Sequence, residues 1–242
     1  MNRLKIWESM NLNLPERVYL IDRVCTGKRM NPELPKVNDP ESLPMVVLAS
    51  ASARRRAMFA EIGIRHQVIP ASVDDGELVA GGVEPMEWVA ALAFLKASSS
   101  ADLFVSNESN GDQDTLVIGA DTVCVHDGEI LGQPVDRSHA REMILSMSQA
   151  EHRVLTGVAI VDPATGKREL FVDESIVTVG EIPEHEIELY LDSEQWRGKA
   201  GAYNITERLA AGWPITFTGD ETSIVGLPMT RTLDRVAKFF VD

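Results

Sequence analysis

Basic residues are scarce in this sequence: 23 Lys+Arg stand against 37 Asp+Glu, a formal charge of −14 over 242 residues. Nonspecific binding to nucleic-acid polymers or to an anionic membrane needs a basic field, so the deficit argues against both partners. Any phosphate that the protein binds must be held by a local group of cations. Cysteine is nearly absent, and Cys25 and Cys124 show no Cys-x-x-Cys spacing, which removes a disulfide framework and a thiolate zinc site. No apolar run approaches the roughly 20 residues that span a bilayer, and Met1-Asn2-Arg3-Leu4-Lys5-Ile6-Trp7-Glu8 lacks a signal-peptide hydrophobic region. The expected compartment is the cytoplasm.

The familiar catalytic signatures are missing too. There is no Gly-x-x-x-x-Gly-Lys-[Ser/Thr], no Gly-x-Gly-x-x-Gly, no Gly-x-Ser-x-Gly and no His-Glu-x-x-His. His66, His126, His139, His152 and His185 have no ligand spacing and read as structural. P-loop phosphoryl transfer, Rossmann hydride transfer, α/β-hydrolase acyl transfer and zincin proteolysis therefore lose support.

What is present is a globular composition, 44% hydrophobic and 25% charged with 17 Gly and 12 Pro, long enough for one large domain or two small ones. Residues 1–44 are punctuated by Pro15, Pro32, Pro35, Pro40 and Pro44, and within them only Arg17–Ile21 has the texture of an element. This stretch reads as an N-terminal extension, partly disordered or packed on the surface, ahead of a domain over residues 45–242. The extension holds 7 Lys+Arg against 6 Asp+Glu, so the domain carries −15.

Along the domain, apolar runs alternate with helical patterns. Met45–Ala49 reads as a buried strand, Ser52 as the N-cap of a helix over Arg54–Ile62, and Gly63 as its C-terminal glycine. His66–Ile69 is a short strand, and Pro85 sits just inside a long helix over 84–103. Leu116–Val125 and the strand Glu129–Leu131 form a hairpin through Asp127-Gly128. A helix over 138–148, strands over 153–161 and 169–179, a helix over 183–191, a glycine-rich loop over 198–204 and a helix over 227–240 complete the pattern. This order predicts an α/β fold with a central mixed β-sheet flanked by helices.

Three groups of residues carry chemistry. Ser50-Ala51-Ser52-Ala53-Arg54-Arg55-Arg56 joins a strand to a helix, where free backbone N–H groups and the helix dipole favour an anion and the hydroxyls and guanidinium groups favour phosphate. Successive helical residues point about 100° apart, so Arg54 and Arg55 are the chosen ligands. The run also fits an ordinary solvated helix start. Asp121, in Gly119-Ala120-Asp121-Thr122, is a carboxylate inside an apolar strand, costly unless it is paired, hydrogen-bonded or metal-bound. It suits a general base or a ligand of Mg²⁺ or Mn²⁺, and equally a strand-end carboxylate paired to a lysine. Asp74 and Asp75 add a carboxylate pair in a loop, while Lys96 and Lys199 are candidate phosphate contacts.

These segments together resemble the Maf family of nucleoside triphosphate pyrophosphatases. Leu48–Arg55 is similar to its Ser-x-Ser-x-Arg-Arg signature, Gly119–Thr122 to its central motif, Lys199–Tyr203 to Lys-Ala-Gly-Ala-Tyr, and Val225–Pro228 to Val-Gly-Leu-Pro. The resemblance implies two lobes with a cleft between them. It further implies divalent-metal-dependent (Mg²⁺ or Mn²⁺) hydrolysis of the α–β phosphoanhydride of a nucleoside triphosphate, and a house-cleaning role toward non-standard or excess nucleotides. Homodimers are common in that family. By the same resemblance Asp121 is the catalytic aspartate and a metal ligand, Asp75 the second acidic residue of the metal site, and Lys96 the helix lysine near the phosphates. Ser50, Ser52, Arg54 and Arg55 form the phosphate turn, with Lys199 a further substrate contact. Arg54 and Thr122 agree with the dTTP/UTP type, where the 7-methyl-GTP type carries Trp and Gln. Gln133 stands where the dTTP/UTP type has Lys, and Thr206 where it has Gln. The nucleobase stays open between a pyrimidine and a modified base, and a catalytically weakened nucleotide-binding regulator is the alternative that Gln133 motivates.

Overall fold

The computed structural model describes residues 34–73, 78, 80–107 and 114–241, together with the backbone of 24–25. Its strands are β1 (Val24–Cys25), β2 (Met45–Leu48), β3 (His66–Val68), β4 (Thr115–His126), β5 (Glu129–Leu131), β6 (Ala150–Val161), β7 (Arg168–Val179) and β8 (Ile215–Thr218). They form one mixed sheet in the order β1-β8-β7-β6-β4-β2-β3, with β5 also paired to β4. The α-helices are α1 (Ala53–Ile62), α2 (Pro85–Asn107), α3 (Arg137–Met147), α4 (Glu184–Asp192), α5 (Ile205–Ala210), α6 (Glu221–Val225) and α7 (Met229–Lys238). The architecture is α/β with a central mixed sheet flanked by helices, as the alternation of patterns predicts.

The three long strands β4, β6 and β7 carry the whole domain, and side-chain alternation along them assigns their two faces. One face meets α2. That helix lies so close that a Cβ on Gly119 would stand 2.3 Å from the Ala93 carbonyl oxygen, and one on Gly157 would stand 2.5 Å from that of Val89. Small residues on the helix, Ala90, Ala93 and Ala97, are fully buried at this contact. By length and composition α2 is long and apolar enough to cross a membrane, against the expectation that no run approaches this; half of the stretch is buried inside the fold. Its apolarity serves the sheet contact.

The opposite face supports two separate cores. Ile118, Ala120, Val158, Ile160 and Phe171 pack with α1 and α7. Further along the same strands, Val154, Val177 and Val179 pack with α3, α4 and Trp196. Between these cores the register sets Thr122 beside Thr156 and Thr156 beside Asp173, a polar row across the sheet. Apolar side chains on either side of that row draw the longer helices down onto the sheet, while the row itself meets the short α6, whose Ser223 carbonyl accepts from Thr156. The result is two lobes with a cleft between them.

Some elements differ from expectation. The long helix runs to Asn107, four residues past its predicted end. α5, β8 and α6 fall in residues 205–225, where no element is expected from the sequence. Within the extension, Val24 and Cys25 pair antiparallel with Thr218 and Phe217, and Leu34, Val37 and Leu43 pack against the α1/α7 core. The Arg17–Ile21 segment lies outside the described residues.

Candidate functional site

β2 pairs with β4 only as far as Leu48 opposite Ile118, and β5 joins β4 again at Cys124. From Gly119 to Val123 that side of β4 has no neighbouring strand, so the sheet has a gap in its middle. Into the gap turns the chain leaving β2, through Ser50–Ser52 into α1. Ser52 caps α1 by accepting from the Arg55 amide at 3.5 Å, Ser50 Oγ accepts from the Ser52 amide at 3.2 Å, and Gly63 closes the helix at φ 73°. The helix start, with its free N–H groups, therefore faces the open edge of β4.

A cleft of about 510 Å³ lies here, lined by Ser52, Arg54, Arg55, Asp121 and Thr122 at one end. Lys199, Tyr203, Thr206, His152 and Val154 line it from the second lobe. Of the residues singled out from sequence, the structure thus brings Ser52, Arg54, Arg55, Asp121, Thr122, Lys199 and Thr206 to one cavity. Ser50 lies just behind the wall, where its hydroxyl accepts from Arg55 Nη1 at 3.3 Å. Gln133 is exposed and does not line the cleft; its neighbour Gly132 accepts from the Gly201 amide at 3.0 Å. Asp74 and Asp75 lie outside the described residues.

Asp121 resolves its own burial. It is 8% exposed, points to the α2 face, and its Oδ1 accepts from Lys96 Nζ at 2.6 Å. Lys96 reaches it from the fourth turn of α2, so the close helix approach at Gly119 and Gly157 sets this ion pair. On the other face Arg55 is gripped from three sides. Its Nε donates to the Gly226 carbonyl at 2.7 Å, Nη1 to Ser50 and Nη2 to Thr122 Oγ1 at 3.1 Å. Gly226 has φ 129°, and a Cβ there would lie 3.2 Å from Arg55 Nε, so glycine is what lets the guanidinium in. Arg54, exposed at the rim, has no ion pair among the described residues. On the far lobe Lys199 pairs with Glu207, and Arg197 pairs with Glu194 at 2.8 Å while stacking on Trp196. Arg54 and Arg55 line one wall of the cleft, and the cations of the second lobe, Lys199 and Arg197, are paired with carboxylates.

The second lobe supplies the Tyr203 ring of the Lys199–Tyr203 motif together with His152, which sequence spacing did not single out. The Tyr203 hydroxyl and His152 Nε2 lie 2.9 Å apart, and Tyr203 sits at 6.0 Å from the Trp213 ring. Burial, with the charge of His126 nearby, pulls His152 down to about 4, and burial pushes the Cys124 thiol up to about 12 and Tyr203 well above its usual value. At neutral pH this end of the cleft is uncharged apart from its rim, a suitable surface for a flat heterocycle. The period-2 alternation placing Cys124 beyond Thr122 was the available sign of this lining. His152 gave none, since the ring it meets, Tyr203, lies 51 positions further along the chain.

The depressed His152 value carries a stability prediction. The unfolded chain protonates this ring near pH 6.5 and the folded one near 4, so its contribution is complete above about 6.5 and is lost as pH falls toward 4. The loss is on the order of 3 kcal/mol. Asp173, whose carboxyl is raised by burial, works in the opposite sense, so wild type is compared with His152→Gln. Urea melts between pH 7.5 and 4.5 should show a flatter dependence in the variant; identical slopes would contradict the assignment.

Fold and site together define an α/β protein with an anion-binding cleft between two lobes. The chain belongs to the Maf family: residues 45–239 match the family described as Maf-like protein. It is 39% identical over 194 residues to a dTTP/UTP pyrophosphatase of Pelotomaculum thermopropionicum, covering 80% of this chain and 96% of that one. Similar relatives are the dTTP/UTP pyrophosphatases of Clostridioides difficile, 37% identical over 81% of this chain and 95% of theirs, and of Symbiobacterium thermophilum, 36% identical over 81% and 95%.

Proposed function

We propose that this protein hydrolyses a nucleoside triphosphate to the monophosphate and pyrophosphate, with dTTP and UTP the leading substrates and removal of excess or non-standard nucleotides as its role. The observation that carries the reading is the juxtaposition, at one gap in the sheet, of a phosphate-type turn and a lysine-paired carboxylate. The family relatives named for dTTP and UTP support the choice of base.

The triphosphate lies with its anionic end against Arg54, Arg55 and the α1 start, and its base toward Tyr203, Val154 and Thr206. Guanidinium groups fixed in advance neutralise charge that develops on the phosphoryl oxygens, without reorganisation at the moment of reaction. Asp121 reaches the substrate around the open edge of β4, where it takes a proton from the attacking water. Lys96 holds that carboxylate in place.

A divalent cation fits this donor set. Asp121 offers a hard carboxylate at the cleft, and Mg²⁺ commonly takes one or two carboxylates with the remainder from substrate phosphates and water. Among the described residues no cluster of three or more His, Cys, Asp or Glu side chains forms a cage of its own. Bound beside Asp121, Mg²⁺ or Mn²⁺ would supply charge neutralisation at the phosphates. Gln133, exposed and not among the residues lining the cleft, lends no support to a weakened, purely regulatory protein.

The test is pyrophosphate release from a panel of canonical and modified nucleoside triphosphates with Mg²⁺ or Mn²⁺, read with inorganic pyrophosphatase and a phosphate dye. Turnover led by dTTP and UTP is expected. Folded protein that releases nothing across the panel would overturn the reading, and turnover led by a purine would overturn the base assignment.

A further inference from the structure

We infer that Thr156, which does not reach the cleft, is a positioning residue for the phosphate-facing Arg55, and that Thr122 serves Arg55 rather than the nucleobase. Thr156 is fully buried on β6, in register with Thr122. Its Oγ1 lies 2.8 Å from the carbonyl oxygen of Ser223 and 2.9 Å from Thr122 Oγ1. A threonine hydroxyl has one proton, a carbonyl can only accept and a guanidinium can only donate. Thr156 must therefore donate to Ser223. It can then only accept from Thr122, whose single proton is spent in that bond, and Thr122 meets Arg55 Nη2 with a lone pair.

The chain runs in one direction, from Arg55 through Thr122 and Thr156 to the Ser223 carbonyl, and both ends enforce that direction. Two consequences follow. Thr122 lines the cleft without a proton to offer a ligand, so it is not a donor to the base or to a phosphate oxygen. Arg55 is anchored twice by one short segment, directly at the Gly226 carbonyl and through the two hydroxyls at Ser223. That segment is itself tied down: Thr222 Oγ1 donates to Asp220 Oδ1 at 2.6 Å and accepts from the Met229 amide at 2.8 Å. Arg55 thereby reports the placement of residues 223–226 to the phosphate turn, more than 165 positions earlier in the chain.

The inference rests on the nucleotide reading above for its substrate, and pyrophosphate binding separates the two. Thr156→Val keeps the shape and removes the hydroxyl; Thr156→Ser keeps the hydroxyl. In Thr156→Val, KM should rise about tenfold for every triphosphate in the panel and pyrophosphate should bind about tenfold more weakly by calorimetry, with kcat within about twofold. Thr156→Ser should return both to within about twofold of wild type. If Thr156→Val does not fold, Thr122→Val, which leaves the Thr156–Ser223 bond intact, should show the same uniform loss. Wild-type KM and pyrophosphate affinity in Thr156→Val, no rescue by serine, or a loss confined to one nucleobase would each overturn the inference. Wild-type protein inactive on the whole panel would remove the nucleotide reading, and the pyrophosphate titration alone would then decide the role of Thr156.

Discussion

Asp121→Asn is expected to lower kcat by about 10³-fold and to leave the fold in place, with a melting temperature within a few degrees of wild type. Asparagine keeps the size of the side chain, and its carbonyl oxygen still accepts from Lys96 Nζ, the contact made now at 2.6 Å. What it loses is the ability to take a proton from water and most of its attraction for a hard cation. Loss of turnover without loss of structure is the signature that separates a base from a residue held only for packing. Lys96→Met should behave differently, because it strands a buried carboxylate without its counter-ion, and stability should fall together with activity. Steady-state turnover and thermal melts on the two variants read both effects. Turnover of Asp121→Asn within tenfold of wild type would take the proton-transfer role away from this residue.

The global charge gives the site its logic. With −15 on residues 45–242, an anionic substrate approaches a repelling body, and a cleft that admits it must reverse the sign locally. The first lobe brings Arg54 to the rim and Arg55 beside it, the latter oriented by the Gly226 carbonyl and the Ser50 and Thr122 hydroxyls. On the second lobe Lys199 and Arg197 are each matched by a carboxylate. The acidity that argues against a polymer partner leaves a small anion free to bind.

Local sequence signals specified much of this arrangement. Ser52 and Gly63 bracket α1 because capping chemistry is written within a few residues, and the apolar runs of β2 and β4 announce a buried sheet on their own. Asp121 was conspicuous as the one carboxylate inside such a run. The capture of Asp121 by Lys96, 25 positions away, was left open by pattern alone, since a lysine partner and a metal both satisfy a buried carboxylate. Elements α5, β8 and α6 escaped because each is six residues or fewer, too short for a period to show, and each is fixed by tertiary packing. The gap in the sheet was equally illegible: it follows from β2 ending opposite Ile118 while β5 begins only opposite Cys124, a relation between strands that single-strand patterns do not contain. Glu207 and the His152–Tyr203 pair belong to the same class of feature.

Gly157→Ala and Gly119→Ala are expected to be the most destabilising single substitutions at the site, each costing about 3 kcal/mol or more. At Gly157 the new methyl would meet the Val89 carbonyl oxygen at 2.5 Å and the Ala90 nitrogen at 2.9 Å; at Gly119 it would meet the Ala93 oxygen at 2.3 Å and the Ala97 nitrogen at 2.6 Å. These are backbone atoms of α2, so no rotamer change relieves the contact and the helix itself must move away. Lys96 lies between Ala93 and Ala97 on that helix. A shift that accommodates the methyl therefore pulls the ammonium from Asp121 and should lower activity in whatever fraction remains folded. Gly132→Ala is the control, since a Cβ there meets nothing within 4 Å and its φ is not in the left-handed region. Its melting temperature should stay near wild type while the two sheet variants fall by about 6–12 °C on the size scaling for a domain of this length. Wild-type stability in Gly157→Ala would mean that α2 does not press on β6 as closely as the structure has it.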